Sequence, residues 1–240
     1  ANLKAYDGRL MEARNLIGSY NPELSKRVLL LAHWDSRPYS DHDPDPAHLS
    51  KTLEGADDGA SGVGVLLEIA RQLGHQAPNI GVDILFCDAE DYGTPEFVDD
   101  YQPDTWCLGS QFWAKNPHVK NYKAEFGILL DMVGGKGATF FREFQSMRSA
   151  APIVEMVWSK ARDLGYGKFF INADGGAITD DHQYVISGRG IPSIDIINYD
   201  PDTETGFASY WHTQKDNMDN IDRETLKAVG QTVLEVIYNQ

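Results

Sequence analysis

Four short apolar runs recur along the chain: "RVLLLAHWDS" at Arg27 to Ser36, "GVDILFCDAE" at Gly81 to Glu90, "AEFGILLDMVGG" at Ala124 to Gly135 and "GIPSIDIINYD" at Gly190 to Asp200. They are rich in Val, Ile, Leu and Phe and give way to polar or acidic residues. Such runs predict strands buried on both faces, with their last residues emerging at a sheet edge. Between the runs the period lengthens. "SGVGVLLEIARQLG" carries Val65, Ile69 and Leu73 at four-residue spacing, and "APIVEMVWSKARDLG" sets Ile153, Met156, Val157 and Ala161 on one face, both patterns stopping at a glycine. A closing amphipathic helix begins at Asp222 as N-cap and runs through Leu226, Val229, Val233 and Val236.

Strands alternating with helices predict an α/β three-layer sandwich, a central mixed and mostly parallel sheet flanked by helices, with ligands beyond the carboxyl ends of the strands. Three stretches interrupt the rhythm: Pro38 to Glu54, Tyr92 to Thr105 and Asn198 to Tyr210, each rich in Asp, Pro, Gly and aromatics. Long loops in a compact domain tend to be functional. With no internal repeat, low-complexity tract or linker, residues 1–240 read as one compact domain.

Composition narrows the function. Acids outnumber bases 36 to 21, a formal charge of −15, and no basic cluster stands out, which argues against nucleic acid or an anionic membrane as partner. The longest apolar runs, such as "VLLLA", are too short for a transmembrane segment, and no secretory signal begins the sequence. Cys87 and Cys107 permit one disulfide but make no framework, so the redox compartment stays open.

The acids collect where strands give way to loops, in "AHWDS" (Ala32 to Ser36), "GADDGASG" (Gly55 to Gly62), "DAEDYG" (Asp88 to Gly93), "LLDMVGG" (Leu129 to Gly135), "TDDHQY" (Thr179 to Tyr184) and "WHTQKDN" (Trp211 to Asn217). Convergence of these ends would assemble His33, Asp58, Glu90, Asp91, Asp131, Asp180, His182 and His212. So many carboxylates cannot share a water-poor cleft as free anions, and a divalent cation resolves the conflict. Imidazoles among them favour zinc over calcium or magnesium. The small residues around Asp57 and Asp58 let the backbone turn sharply and a metal approach, so one of the two aspartates is expected to be a ligand. His42, His48, His75 and His118 read as solvated and His182 as structural. The acid runs "DHDPDP" and "DPDTET" lack the spacing of a calcium loop.

Taken together, "GADDGASG", "DAEDYG", "LLDMVG" and "WHT" resemble the zinc aminopeptidases of the α/β exopeptidase class over nearly the whole chain. "HWDSRPYSD", "TDDHQYVISGRGIPSI" and "YWHTQKDNMDNID" bring it closer to the animal-like glutaminyl cyclases, particularly those of Bacteroidetes-like bacteria. The resemblance implies Asp58, Asp91 and His212 as ligands of one Zn2+ per chain, Glu90 as general acid and base, and Asp131 with Asp180 as supporting carboxylates. Phe207 and Trp211 match aromatic pocket positions of the cyclases, and Trp106 is expected as another wall, on a loop that departs from the animal pattern in length and sequence. In the aminopeptidases, positions like His33 and Asp131 hold a second zinc with the equivalent of Asp58 bridging. At the position of Asp180 those enzymes tend to carry Ser or Thr, whereas the cyclases carry an acid. An Asp131 hydrogen-bonded to Asp180 is a poor second-metal ligand, which leaves His33 structural.

The reaction so implied converts the amino-terminal glutamine of peptides or proteins to pyroglutamate with release of ammonia, in a monomer that is periplasmic or exported. Two alternatives stand beside it: a zinc aminopeptidase in which Glu90 activates water, and an exopeptidase-fold binding protein without activity.

Overall fold

In the computed structural model, which describes residues 1–240, the chain opens with a small hairpin of β1 (Asn2–Lys4) and β2 (Leu10–Glu12), paired antiparallel. A five-stranded sheet follows in the order β3–β5–β4–β6–β9, built from β3 (Leu16–Tyr20), β4 (Arg27–His33), β5 (Gly81–Cys87), β6 (Phe126–Asp131) and β9 (Ser193–Ile197). Only the edge strand β3 runs antiparallel; the other four are parallel. These four are the apolar runs of the sequence, and every residue of β4, β6 and β9 is buried, as strands covered on both faces must be. A parallel pair, β7 (Phe140–Arg142) with β8 (Phe170–Asp174), lies apart from this sheet.

Alternate strand residues feed two cores. Val28, Leu30, Ile128 and Ile194 pack with residues of α1 (Ala60–His75), α3 (Phe144–Asp163) and α5 (Arg223–Tyr238) on one face. On the other, Leu29, Leu31, Leu85 and Leu129 meet Trp113 of α2 (Leu108–Lys115) and Val185 of α4 (Asp181–Arg189). The three-layer mixed sandwich is therefore present, with three helices against two.

Details of the helices depart from the expected pattern. α1 continues through Gly74 to His75. The buried face of α3 comprises Val154, Val157, Trp158 and Ala161, one step around from the expected stripe, with Ile153 and Met156 at its margin. α3 is also kinked at Ala150, just before Pro152, whose ring forbids the normal turn. Asp222 caps α5 as expected, its carboxylate accepting the Glu224 N–H. The parallel order carries the C-terminal ends of β4, β5, β6 and β9 to one rim.

Candidate active site

At that rim β4 ends in His33, β5 is followed by Glu90 and Asp91, and β6 ends in Asp131. Asp58 arrives on the turn before α1, Asp180 as the N-cap of α4, and His212 on the loop before α5. All seven side chains are buried. His212 Nε2 lies 3.3 Å from Asp58 Oδ2 and 3.2 Å from Asp91 Oδ1, so these three converge on one point. His33 Nε2 lies 3.0 Å from the other oxygen of Asp58 and 3.2 Å from Asp131 Oδ1. Asp131 thus takes its hydrogen bond from His33, not from Asp180 as the sequence led us to expect; burial and then the charge of Asp131 push the Asp180 carboxyl well above the usual carboxylate range.

The backbone is strained where it presents these groups. Ala89, Cys107, Met132 and His212 all adopt left-handed φ of 47–55°, which non-glycine residues avoid unless the surroundings impose it. Gly59, at φ 91°, lets the chain turn after Asp58, and a Cβ there would fall 2.9 Å from the His33 ring.

The two acidic dipeptides are held in the same way. Asp216 accepts the backbone N–H groups of Asp57 and Asp58 at 2.8 and 3.1 Å, and Asp35 accepts those of Glu90 and Asp91 at 3.0 and 3.1 Å. Asp57 itself turns away from the cluster: its carboxylate accepts the Gly134 N–H and the Tyr210 hydroxyl, so of the pair only Asp58 faces the metal-ligand candidates. Behind them lies a buried ion pair. Arg37 grips Asp41 through Nε and Nη2 at 3.0 and 2.6 Å and donates Nη1 to the carbonyl of Asp91 at 2.8 Å. Asp41 Oδ1 in turn faces His212 Nδ1 at 3.6 Å, the arrangement by which a carboxylate orients a metal-binding imidazole. Asp35, Arg37, Asp41 and Asp216 were not singled out from the sequence, although the first three belong to "HWDSRPYSD" and the last to "WHTQKDN".

Burial, and then Asp91, push the carboxyl of Glu90 well above the usual carboxylate range; burial and Asp58 push Asp91 up as well. His212 is penalised by burial, yet Asp91 and Asp58 raise it to about 9. Asp91 Oδ2 and Asp180 Oδ2 have no hydrogen-bond partner at all. Two buried carboxylates and an imidazole around one point, one oxygen unpartnered, form a donor set that fits a divalent zinc ion; such a cation would neutralise the surplus charge.

The cluster forms the floor of a cavity of about 430 Å³ that Glu90, Asp131 and Asp180 also line. Its walls are Trp106, Phe207 and Trp211, the three aromatics anticipated from the sequence. The Trp211 ring stacks on His212 at 3.7 Å and touches Phe207 at 4.6 Å, and Trp106 lies parallel to His212 at 6.1 Å. The Arg37 guanidinium sits 4.4 Å over Trp106. Trp106 in turn occupies the space a side chain at Gly93 would need, its ring lying 2.0 Å from where a Cβ would be.

His42, expected to be solvated, packs against Trp211 at 4.4 Å. His182 is buried between Glu143 and Asp195, a structural position as expected. Cys87 and Cys107 are buried free thiols.

Residues 15–237 match the sequence pattern of peptidase family M28. A zinc-dependent exopeptidase from Parabacteroides distasonis has a similar structure, with a TM-score of 0.99 and 80% identity over all of this chain and 82% of that one. Tannerella forsythia glutaminyl cyclase superposes with a TM-score of 0.98 at 70% identity over the same shares. Bovine glutaminyl-peptide cyclotransferase is 27% identical over 92% of this chain, which spans 64% of the bovine length.

Proposed function

We propose that this chain, which belongs to peptidase family M28, is a zinc-dependent glutaminyl-peptide cyclotransferase acting on peptides or proteins with an amino-terminal glutamine. The observation that carries the proposal is Asp180: a buried carboxylate with an unpartnered oxygen, lining the same aromatic-walled cavity as Glu90 and the Asp58, Asp91, His212 trio. Similarity to a glutaminyl cyclase over the whole chain supports it.

In this reading Asp58, Asp91 and His212 hold one zinc, and the bound ion acts as a Lewis acid toward the γ-carbonyl of the substrate glutamine. Trp106, Phe207 and Trp211 fold the glutamine side chain back toward its own α-amine and exclude water. Glu90 takes a proton from the α-amine as the nitrogen–Cδ bond forms, then passes it to the departing amide nitrogen as that C–N bond breaks and ammonia leaves. The raised affinity of Glu90 for protons suits a group that both accepts and returns one. Asp131 and Asp180 hold the leaving nitrogen by hydrogen bonds. Residues 1–240 act as one catalytic domain, as a monomer, in the periplasm or after export; no helix is long and apolar enough to cross a membrane.

Mass spectrometry of a peptide beginning Gln-Leu, incubated with the zinc-loaded protein, tests the reading. Loss of one ammonia from an otherwise whole peptide is the expected result.

A second reading rests on His33. Its contacts with Asp58 and Asp131 bring together the three residues a second metal would need, as in a two-metal aminopeptidase. Release of the leading residue and two zincs per chain would establish it. An unchanged peptide and a protein free of zinc would favour the binding-protein alternative.

A further inference from the structure

Cys107 plays no part in the chemistry above, yet it lies against the group at its centre. It is fully buried and caps α2 at a left-handed φ of 55°. Its backbone N–H donates to the carbonyl of Glu90 at 2.8 Å, and the next residue, Leu108, donates to the carbonyl of Ala89 at 3.0 Å. The first turn of α2 is thereby fastened to the segment that presents Glu90. The side chain completes the attachment: the thiol donates to Glu90 Oε1 at 3.0 Å. Sγ, a carboxylate oxygen of Glu90 and one of Asp180 all lie within 4.8 Å of one another, so the sulfur sits beside both acids of the cavity.

Building on the cyclase reading, we propose that Cys107 is a positioning residue that fixes the Glu90 carboxyl in its working orientation. A glutamate side chain has three rotatable torsions, and the backbone clamp from Asp35 stops at the main chain. The carboxyl group itself is gripped by the thiol, through Oε1, which leaves Oε2 for the substrate amine. A thiol suits the task. It has one weak proton to give, so it orients the carboxyl without holding it as tightly as a hydroxyl or ammonium would. Cys87, the other free thiol, is equally buried but lies on β5. It serves as the control.

The test uses the zinc-loaded full chain with a Gln-Leu peptide. Cys107→Ala and Cys107→Val, the second keeping the volume without the donor, are expected to lower kcat about tenfold while KM changes less than about twofold. Cys107→Ser restores most of kcat, and Cys87→Ala leaves kcat and KM as in the parent. A readout independent of turnover is the infrared S–H stretch of Cys107 in the Cys87→Ala background: Glu90→Gln shifts it to higher frequency, because a neutral amide oxygen is a weaker acceptor than a carboxylate. Unchanged kcat in both donor-free variants, an equal loss in Cys87→Ala, or an S–H band indifferent to Glu90→Gln would each overturn the proposal. A parent enzyme that cyclises nothing would instead refute the cyclase reading, while the infrared result would still decide whether the thiol holds Glu90.

Discussion

The Asp216 carboxylate accepts the backbone N–H of Asp58 at 3.1 Å across 158 positions of sequence. With the matching N–H of Asp57 on its other oxygen, it fixes the turn that aims Asp58 at His212. An asparagine keeps one acceptor and loses the second. Asp216→Asn is therefore expected to weaken zinc binding by about 10- to 100-fold, as loss of an outer support usually does. Competition with a chromophoric chelator measures it, and zinc affinity equal to the parent's would show that the turn holds without the clamp.

Glu90→Gln is nearly isosteric and leaves Asp58, Asp91 and His212 untouched. It should lower kcat by about 10²- to 10⁴-fold while retaining zinc, because the amide cannot carry the proton from amine to leaving group. Atomic absorption alongside the Gln-Leu assay separates the two effects. Full turnover in this variant would remove Glu90 from the mechanism.

The buried Arg37–Asp41 pair makes a different kind of prediction. Arg37→Ala strands the Asp41 carboxylate and unseats Trp106, and breaking a buried pair in this way costs about 3–5 kcal/mol. Replacing both members by apolar residues should cost less, since no charge is then left unpaired. Urea unfolding at pH 7 gives both numbers, and a double variant weaker than Arg37→Ala would contradict the account.

Glu143 supplies a pH dependence remote from the metal ligands. Burial opposes its ionisation, but His182 and the Gln145 and Ser146 N–H groups, which it caps at the start of α3, hold it at about 2. A carboxyl depressed on folding stabilises fully above its unfolded value, about 4.3, and loses that contribution as pH falls toward 2. The difference in unfolding free energy between the parent and Glu143→Gln should thus be roughly 3 kcal/mol at pH 6 and shrink between pH 4.5 and pH 2. A difference that stayed constant across that window would rule out the carboxylate as its source.

Chelator dialysis should abolish cyclisation and lower the unfolding midpoint together, since the acids around His212 would then face one another uncompensated. Differential scanning calorimetry with and without added zinc reports it; an unchanged midpoint would mean the cluster tolerates its own charge.

Before any folding, the chain's local pattern already determined the four parallel strands, the helices α1, α3 and α5 and the group of acids at the sheet's rim. Strands covered on both faces need unbroken apolar runs, and groups placed at their ends must follow those runs in sequence. The elements that escaped were those whose local signal is weak. β3 is a short edge strand with exposed positions, and α2 and α4 have eight and nine residues. The face of α3 was displaced because Trp158, its largest buried residue, lay outside the stripe that was read.

Tertiary structure alone decided which groups pair. Asp57 and Asp58 are the same residue type side by side, yet one ties Gly134 and Tyr210 while the other faces two histidines. Asp131 went to His33, and Glu90 acquired a thiol from Cys107, 17 residues on. Hydrogen bonds depend on ångström distances between segments far apart in the chain, and no periodicity encodes those; residue type and position could name the participants, but only the packed sheet and helices could choose the partners.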